Sequence, residues 1–256
     1  MTEISDFLST PAGQIVLDWE MREASRLLED VFGFSALQLG LPQLDLLRGN
    51  RIPLHVLALS EREPDAPSFP ARFRAEFTSL PLATESQDLV VLPHTLDFAG
   101  NDEAARQTLR EAARVLMPEG RILLTAFNPV GLWNIRQKLH RGGIGSAFLP
   151  EAARPIRLAR IRDWFSLLGL EIDRGEFGAY EAPARTLSGM RSCHWMNAAG
   201  DRWWPSLGNI AMISACKHIA GACLTGLEAF SSPKRIRAGG VVPVAETGLR
   251  RNRARE

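Results

Sequence analysis

"DLVVLPHTLDF", residues 88–98, and "REAARVLMPEGRILLTAFNP", residues 110–129, decide how the rest of the chain is read. Leu89, Val90, Val91 and Leu92 form an unbroken apolar run. Such a run marks a strand covered on both faces, as in a parallel sheet. Asn101 then offers a helix cap, and Asp102 and Glu103 place negative charge in the first turn, where the helix dipole favours it. Leu109, Ala112, Ala113 and Leu116 recur on one face of that helix. Pro118-Glu119-Gly120 is predicted to stop it, and "RILLTAF" (121–127) to be the next strand.

Working outward, the same alternation continues. Thr10 followed by Pro11 starts a helix through Ile15, Trp19, Leu27, Leu28 and Val31, with Gly33 as its end. "ALQLGL" (36–41) and "IPLHVLALS" (52–60) are predicted strands. Pro64, Pro67 and Pro70 make residues 61–70 a loop, and "ARFRAEF" (71–77) alternates as a third strand. Downstream, "LWNIRQKLH" (132–140) and "LARIRDWFSLLG" (158–169) read as helices; "LEIDRGEF" (170–177) and "NIAMISACK" (209–217) read as the last strands. Strands alternating with helices predict a three-layer α/β fold on a mostly parallel sheet.

At 256 residues, 45% of them hydrophobic, the chain suits one domain, expected over residues 1–230. Residues 231–256 hold seven basic and two acidic side chains, so this tail carries +5 against a total of +1 and leaves −4 on the body. The tail has no pattern that could bury a core and is expected to be disordered. Its charge could meet nucleic-acid phosphates, but without interleaved aromatics a solubilising role is the favoured reading. Cys193, Cys216 and Cys223 show no paired metal-ligand spacing, so no metal site is expected from their pattern. The acidic opening "MTEISDFLST" does not resemble a signal peptide, and no apolar run approaches the ~20 residues that span a bilayer. A cytoplasmic location without membrane partners is the expectation.

Three pieces resemble class I S-adenosylmethionine-dependent methyltransferases: Leu80-Pro81-Leu82, Asp88-Leu89-Val90-Val91, and Arg114-Val115-Leu116-Met117-Pro118-Glu119-Gly120. "HTLDF" (94–98) and "AFNPVGLW" (126–133) are similar to a proteobacterial subgroup of methyltransferase-like proteins. The resemblance implies a Rossmann-like, seven-stranded sheet with a reversed last strand. It also implies S-adenosylmethionine lying across the carboxyl ends of the first strands, where open α/β sheets bind ligands. The methyl acceptor is not implied.

Residue by residue, the resemblance assigns Gly40 to the cofactor turn, Glu61 to the ribose, Glu76 and the Phe77 backbone to the adenine, and His94 to the edge beside the methyl donor. Gln38 stands where the family has an acid, and Pro42 and Leu44 stand at its next glycine positions. His94 is a candidate general base or substrate contact, with Asp97 to orient it; the alternative is a histidine bonded to a neighbouring loop. Asp88 is read as structural. "RGGIGS" (141–146) follows a helix and not a strand, so it fails the context test for a phosphate loop and is read as a loop over the pocket. Trp195, Trp203 and Trp204 are expected to pack, with an aromatic substrate lid as the alternative. Two functions stay open: a methyltransferase, and a methyltransferase-like scaffold that has lost the cofactor.

Overall fold

The computed structural model describes residues 2–218 apart from 62, 67, 68, 185 and 194. The expected tail at 231–256 and Cys223 lie outside the described residues. Two helices, α1 (Thr2–Leu8) and α2 (Pro11–Leu27), precede strands β1 (Ser35–Leu39), β2 (Leu54–Leu59), β3 (Ala71–Arg74) and β4 (Gln87–Pro93). Then come α3 (Asp102–Val115), β5 (Leu116–Phe127), α4 (Leu132–Arg141), α5 (Leu158–Leu167), β6 (Leu170–Gly178), α6 (Leu187–Ser192), α7 (Trp195–Trp203) and β7 (Ile210–Lys217).

The seven strands form one sheet in the order β3-β2-β1-β4-β5-β7-β6. β7 runs antiparallel to both β5 and β6, and the other pairings are parallel. The period-2 alternation of the strands sorts the core into two layers. Leu89, Val91, Leu123 and Phe127 face the layer built from α1, α2 and residues 41–47. Leu37, Leu39, Val90, Leu92, Ile122 and Leu124 face α3 and α5. Burial on both faces is why β4 reads as a continuous apolar run.

Element boundaries differ from the sequence reading in two informative places. α2 ends at Leu27, ahead of Gly33, because Asn50 Nδ2 reaches back to the Leu28 and Val31 carbonyls and satisfies the chain leaving the helix. Gly33 instead makes room for a neighbouring side chain, since a Cβ there would lie 2.3 Å from Asp88 Cβ. The space lets Asp88 accept from Phe34 N (2.7 Å) and Ser35 N (3.0 Å), so Asp88 is structural and fixes the start of β1. Likewise, Pro118-Glu119-Gly120 does not separate α3 from its strand. β5 begins directly at Leu116 and takes up these residues as an irregularity in its pairing with β4.

The β1-to-β2 connection, residues 40–53, contains turns and no helix among its described residues. Leu41, Leu44, Leu46, Leu47 and Ile52 are buried and replace a helix's apolar face with a compact loop. "RGGIGS" closes the end of α4: Ile144 N donates to Leu139 O, and His140 Nδ1 lies 3.1 Å from Gly145 O. The tryptophan expectation is overturned: Trp195 (66% exposed), Trp203 (71%) and Trp204 (38%) lie on the surface. Trp195 and Trp203 bound the helix α7, which turns Gly200 toward Tyr180 and leaves these indoles outside.

Candidate functional site

The carboxyl ends of β1, β2, β4 and β5 meet at one edge of the sheet. Gly40 leaves β1 with φ +80, a conformation open to glycine, and Leu41 follows at φ +54. Gly40 N still donates to Ala58 O of β2, so the chain turns only after the sheet pairing ends.

Gln38 stands where the resembled family has an acid, and its surroundings call for an amide. Its Nε2 reaches the carbonyls of Gly40 (3.1 Å), Leu41 (3.3 Å) and Leu44 (2.8 Å), while Oε1 accepts from Leu46 N (3.2 Å). A carboxylate could not donate to those carbonyls. Glu63 completes the turn: its carboxylate accepts from Leu41 N and Ser60 N, both at 2.7 Å. Buried to 5% exposure, it is the acid the fold brings to the β1 turn. Glu61, singled out from the sequence, is exposed, and its backbone carbonyl, not its carboxylate, receives Arg74. The two-residue shift arises because Pro64 and a turn bend the chain back after β2.

On the other side of Gly40, His94 and Thr95 follow β4. Thr95 Oγ1 donates to Leu39 O, locking this corner to the end of β1. His94 takes a left-handed backbone (φ +50) and is fully buried. Its Nδ1 lies 3.0 Å from Asp97 Oδ2, and its Nε2 2.9 Å from Glu20 Oε1. The second contact has the distance of an ion pair but not the alignment of a hydrogen bond. Asp97 Oδ2 also accepts from Phe127 N (2.7 Å), and the His94 ring lies against Phe127 with centroids 4.3 Å apart.

Glu20 and Asp97 are as buried as His94. Burial alone would pull the His94 pKa down. The Glu20 charge, the hydrogen bond to Asp97 and the remaining carboxylate contacts outweigh it and push the imidazole up to about 10. Burial raises Asp97, opposed by its bonds to His94 and to Phe127 N. The imidazole therefore holds its proton at neutral pH with both nitrogens facing carboxylates, which leaves no lone pair for the general-base role. Asp97 holds the His94 ring by its Nδ1 from within a buried charge cluster. Glu20 was missed in the sequence, although the signal was there: an acid amid Val16, Ala24 and Leu27 on the buried face of α2.

Glu76 is exposed just past β3, and Phe77 is half-buried against the α3 side of the sheet. Beside β5, Arg154 N donates to Asp97 O, and a groove of about 690 Å³ opens between α4 and the start of α5. Lys138, Arg141, Arg154, Arg157 and Arg160 line it, against Asp102 and Asp163. Arg160 pairs with Asp102 and Arg141 with Glu151, whereas the Arg154 and Arg157 guanidinium groups have no ion-pair partner among the described residues.

Residues 54–124 match the family described as "Methyltransferase domain". The uncharacterized protein YafS of Escherichia coli (strain K12) is 32% identical over 107 residues, which cover 42% of this chain and 42% of YafS. An S-adenosylmethionine-dependent methyltransferase from Thermotoga maritima aligns with TM-score 0.54 and 14% identity over 80% of this chain and 91% of its own. One from Archaeoglobus fulgidus gives 0.54 and 15% over 78% and 94%. YcgJ from Bacillus subtilis gives 0.53 and 17% over 79% and 99%. At these identities the solved structures establish the fold. The chain thus carries a segment across β2 to β5 that matches the methyltransferase domain, set in a fold shared with S-adenosylmethionine-dependent methyltransferases.

Proposed function

We propose that the protein binds S-adenosylmethionine at the carboxyl edge of β1 and β4 and transfers its methyl group to an anionic acceptor. The observation that carries this reading is the buried Glu20–His94–Asp97 cluster beside the left-handed Gly40 turn. Two buried carboxyl groups face one imidazole at this edge. Glu20 Oε2 and Asp97 Oδ1 are buried without a hydrogen-bond partner among the described residues. Unmet acceptors of this kind fit a cationic group, and the cofactor's methionine end carries both a sulfonium and an ammonium. Glu76 is exposed and free to accept from an adenine amino group, and the Phe77 N–H lies next to it in the chain.

When bound, the cofactor supplies an electrophilic methyl on a sulfonium leaving group. The protein's share is positioning: Gly40 gives backbone approach, Glu20 and Asp97 balance positive charge, and Arg154 and Arg157 draw a negatively charged acceptor to the adjoining groove. His94 orients the carboxylates and moves no proton.

A second reading, a scaffold that has lost the cofactor, has its own observation. Gln38 and Glu63 already satisfy the turn's backbone groups, and Leu41 and Leu44 fill the space beneath it. A thermal-shift titration with S-adenosylmethionine and S-adenosylhomocysteine separates the two. At one hundred times its Kd, a bound ligand adds about 2.7 kcal/mol of stability. Gly40→Asp is expected to abolish that shift, and Glu76→Ala to weaken binding roughly tenfold, the worth of one charge-assisted hydrogen bond. No shift at millimolar ligand would establish the scaffold reading.

A further inference from the structure

A cluster of metal-ligating side chains lies at the opposite, amino edge of the sheet, where β5 begins and β7 ends. We propose that Glu119, Cys216 and His218 form a binding site for a zinc-class divalent cation, with Glu171 orienting His218 from outside the coordination shell. Their ligand atoms all lie within 4.8 Å of one another. His218 Nδ1 is 3.1 Å from Glu119 Oε2, and Cys216 Sγ is 3.9 Å from the same oxygen. Around tetrahedral zinc, with bonds near 2.0–2.3 Å, neighbouring donor atoms stand about 3.3–3.6 Å apart. The two distances to the Glu119 oxygen bracket that spacing, and the exposure of Glu119 and His218 leaves room for a solvent ligand in the fourth position.

Three further observations point the same way. First, Glu119 sits at φ +61, a left-handed conformation that favours glycine, and this backbone turns its carboxylate toward the cysteine and the histidine. Second, His218 Nε2 faces Glu171 Oε2 at 3.7 Å, the carboxylate–histidine arrangement that fixes the ring when its other nitrogen holds a metal. Third, the nearby cations are engaged elsewhere. Lys217 Nζ donates to the carbonyls of Ala113 and Leu116, and Arg121 pairs with Asp173. Two carboxylates and a thiol therefore share His218 as their basic partner. Burial and the Glu119 charge keep the thiol protonated; a bound cation reverses that balance and releases the proton to solvent. The spacing rules missed the set because Glu119 is 97 residues from Cys216 in the chain and adjacent to it only through β5–β7 pairing.

The test is a cobalt(II) titration of the full chain carrying Cys193→Ser and Cys223→Ser, so that Cys216 is the remaining thiol. One equivalent should produce the near-ultraviolet thiolate-to-cobalt absorption, and zinc should displace it. Cys216→Ser should abolish the band. His218→Ala and Glu119→Gln should each weaken binding at least tenfold, and Glu171→Gln about tenfold. Circular dichroism of the metal-free variants reports folding; His218→Ala, at a half-exposed side chain, keeps the test valid if the cysteine variant misfolds. Absence of a thiolate band, or affinity unchanged in His218→Ala, overturns the proposal.

Discussion

His94→Asn tests the buried cluster most directly. Asparagine tolerates the left-handed backbone at this position, so the substitution removes the imidazolium without adding backbone strain. It leaves the Glu20 and Asp97 carboxylates fully buried with no cation between them. Breaking a buried ion pair by removing one partner costs about 3–5 kcal/mol. In a unit of this size that corresponds to a drop in Tm of about 10 °C. The pH dependence carries the sharper signature. In the folded wild type His94 keeps its proton up to about 10, against an ordinary imidazole value near 6.5. Its contribution is whole below pH 6.5 and drains away as pH rises toward 10. The variant lacks this alkaline loss. Asp97, which burial pushes up, instead takes up a proton more readily folded than unfolded, so the variant's stability recovers on acidification toward pH 5. Urea unfolding from pH 5 to 10 measures both limbs. A variant within about 2 °C of wild type, or an alkaline limb unchanged by the substitution, would refute the charged-cluster reasoning.

Other perturbations probe the same edge. Gln38→Ala strips one amide from four backbone groups of the β1 turn and should cost about 3 kcal/mol or more in chemical denaturation, because those bonds are buried. Gln38→Glu, nearly the same shape, should destabilise comparably, since it exchanges a donor for negative charge facing three carbonyls. Gly33→Ala drives a methyl into Asp88 and should cost about 2 kcal/mol, with faster amide exchange at Phe34 and Ser35. If that exchange stays slow, Asp88 is not what fixes the start of β1.

The sequence alone determined the sheet and its layering. Four consecutive apolar residues at 89–92, an Asn101 cap followed by acids, and apolar residues at helical spacing are local facts, and each fixes its element through backbone and burial physics. Gly40 was legible because a left-handed turn after a strand calls for that residue type. The chemistry at the carboxyl edge was decided by tertiary packing. Glu20 reaches His94 from a helix 74 residues earlier, and Glu63 rather than Glu61 meets the turn because the chain folds back after β2. Gln38 reads in the sequence as a mere departure from a pattern; its use emerges only when folding brings four backbone groups around it. Periodicity records which face of an element is apolar. It does not record which polar side chains from distant elements will share one buried volume, and there proximity, desolvation and charge set their protonation and their use.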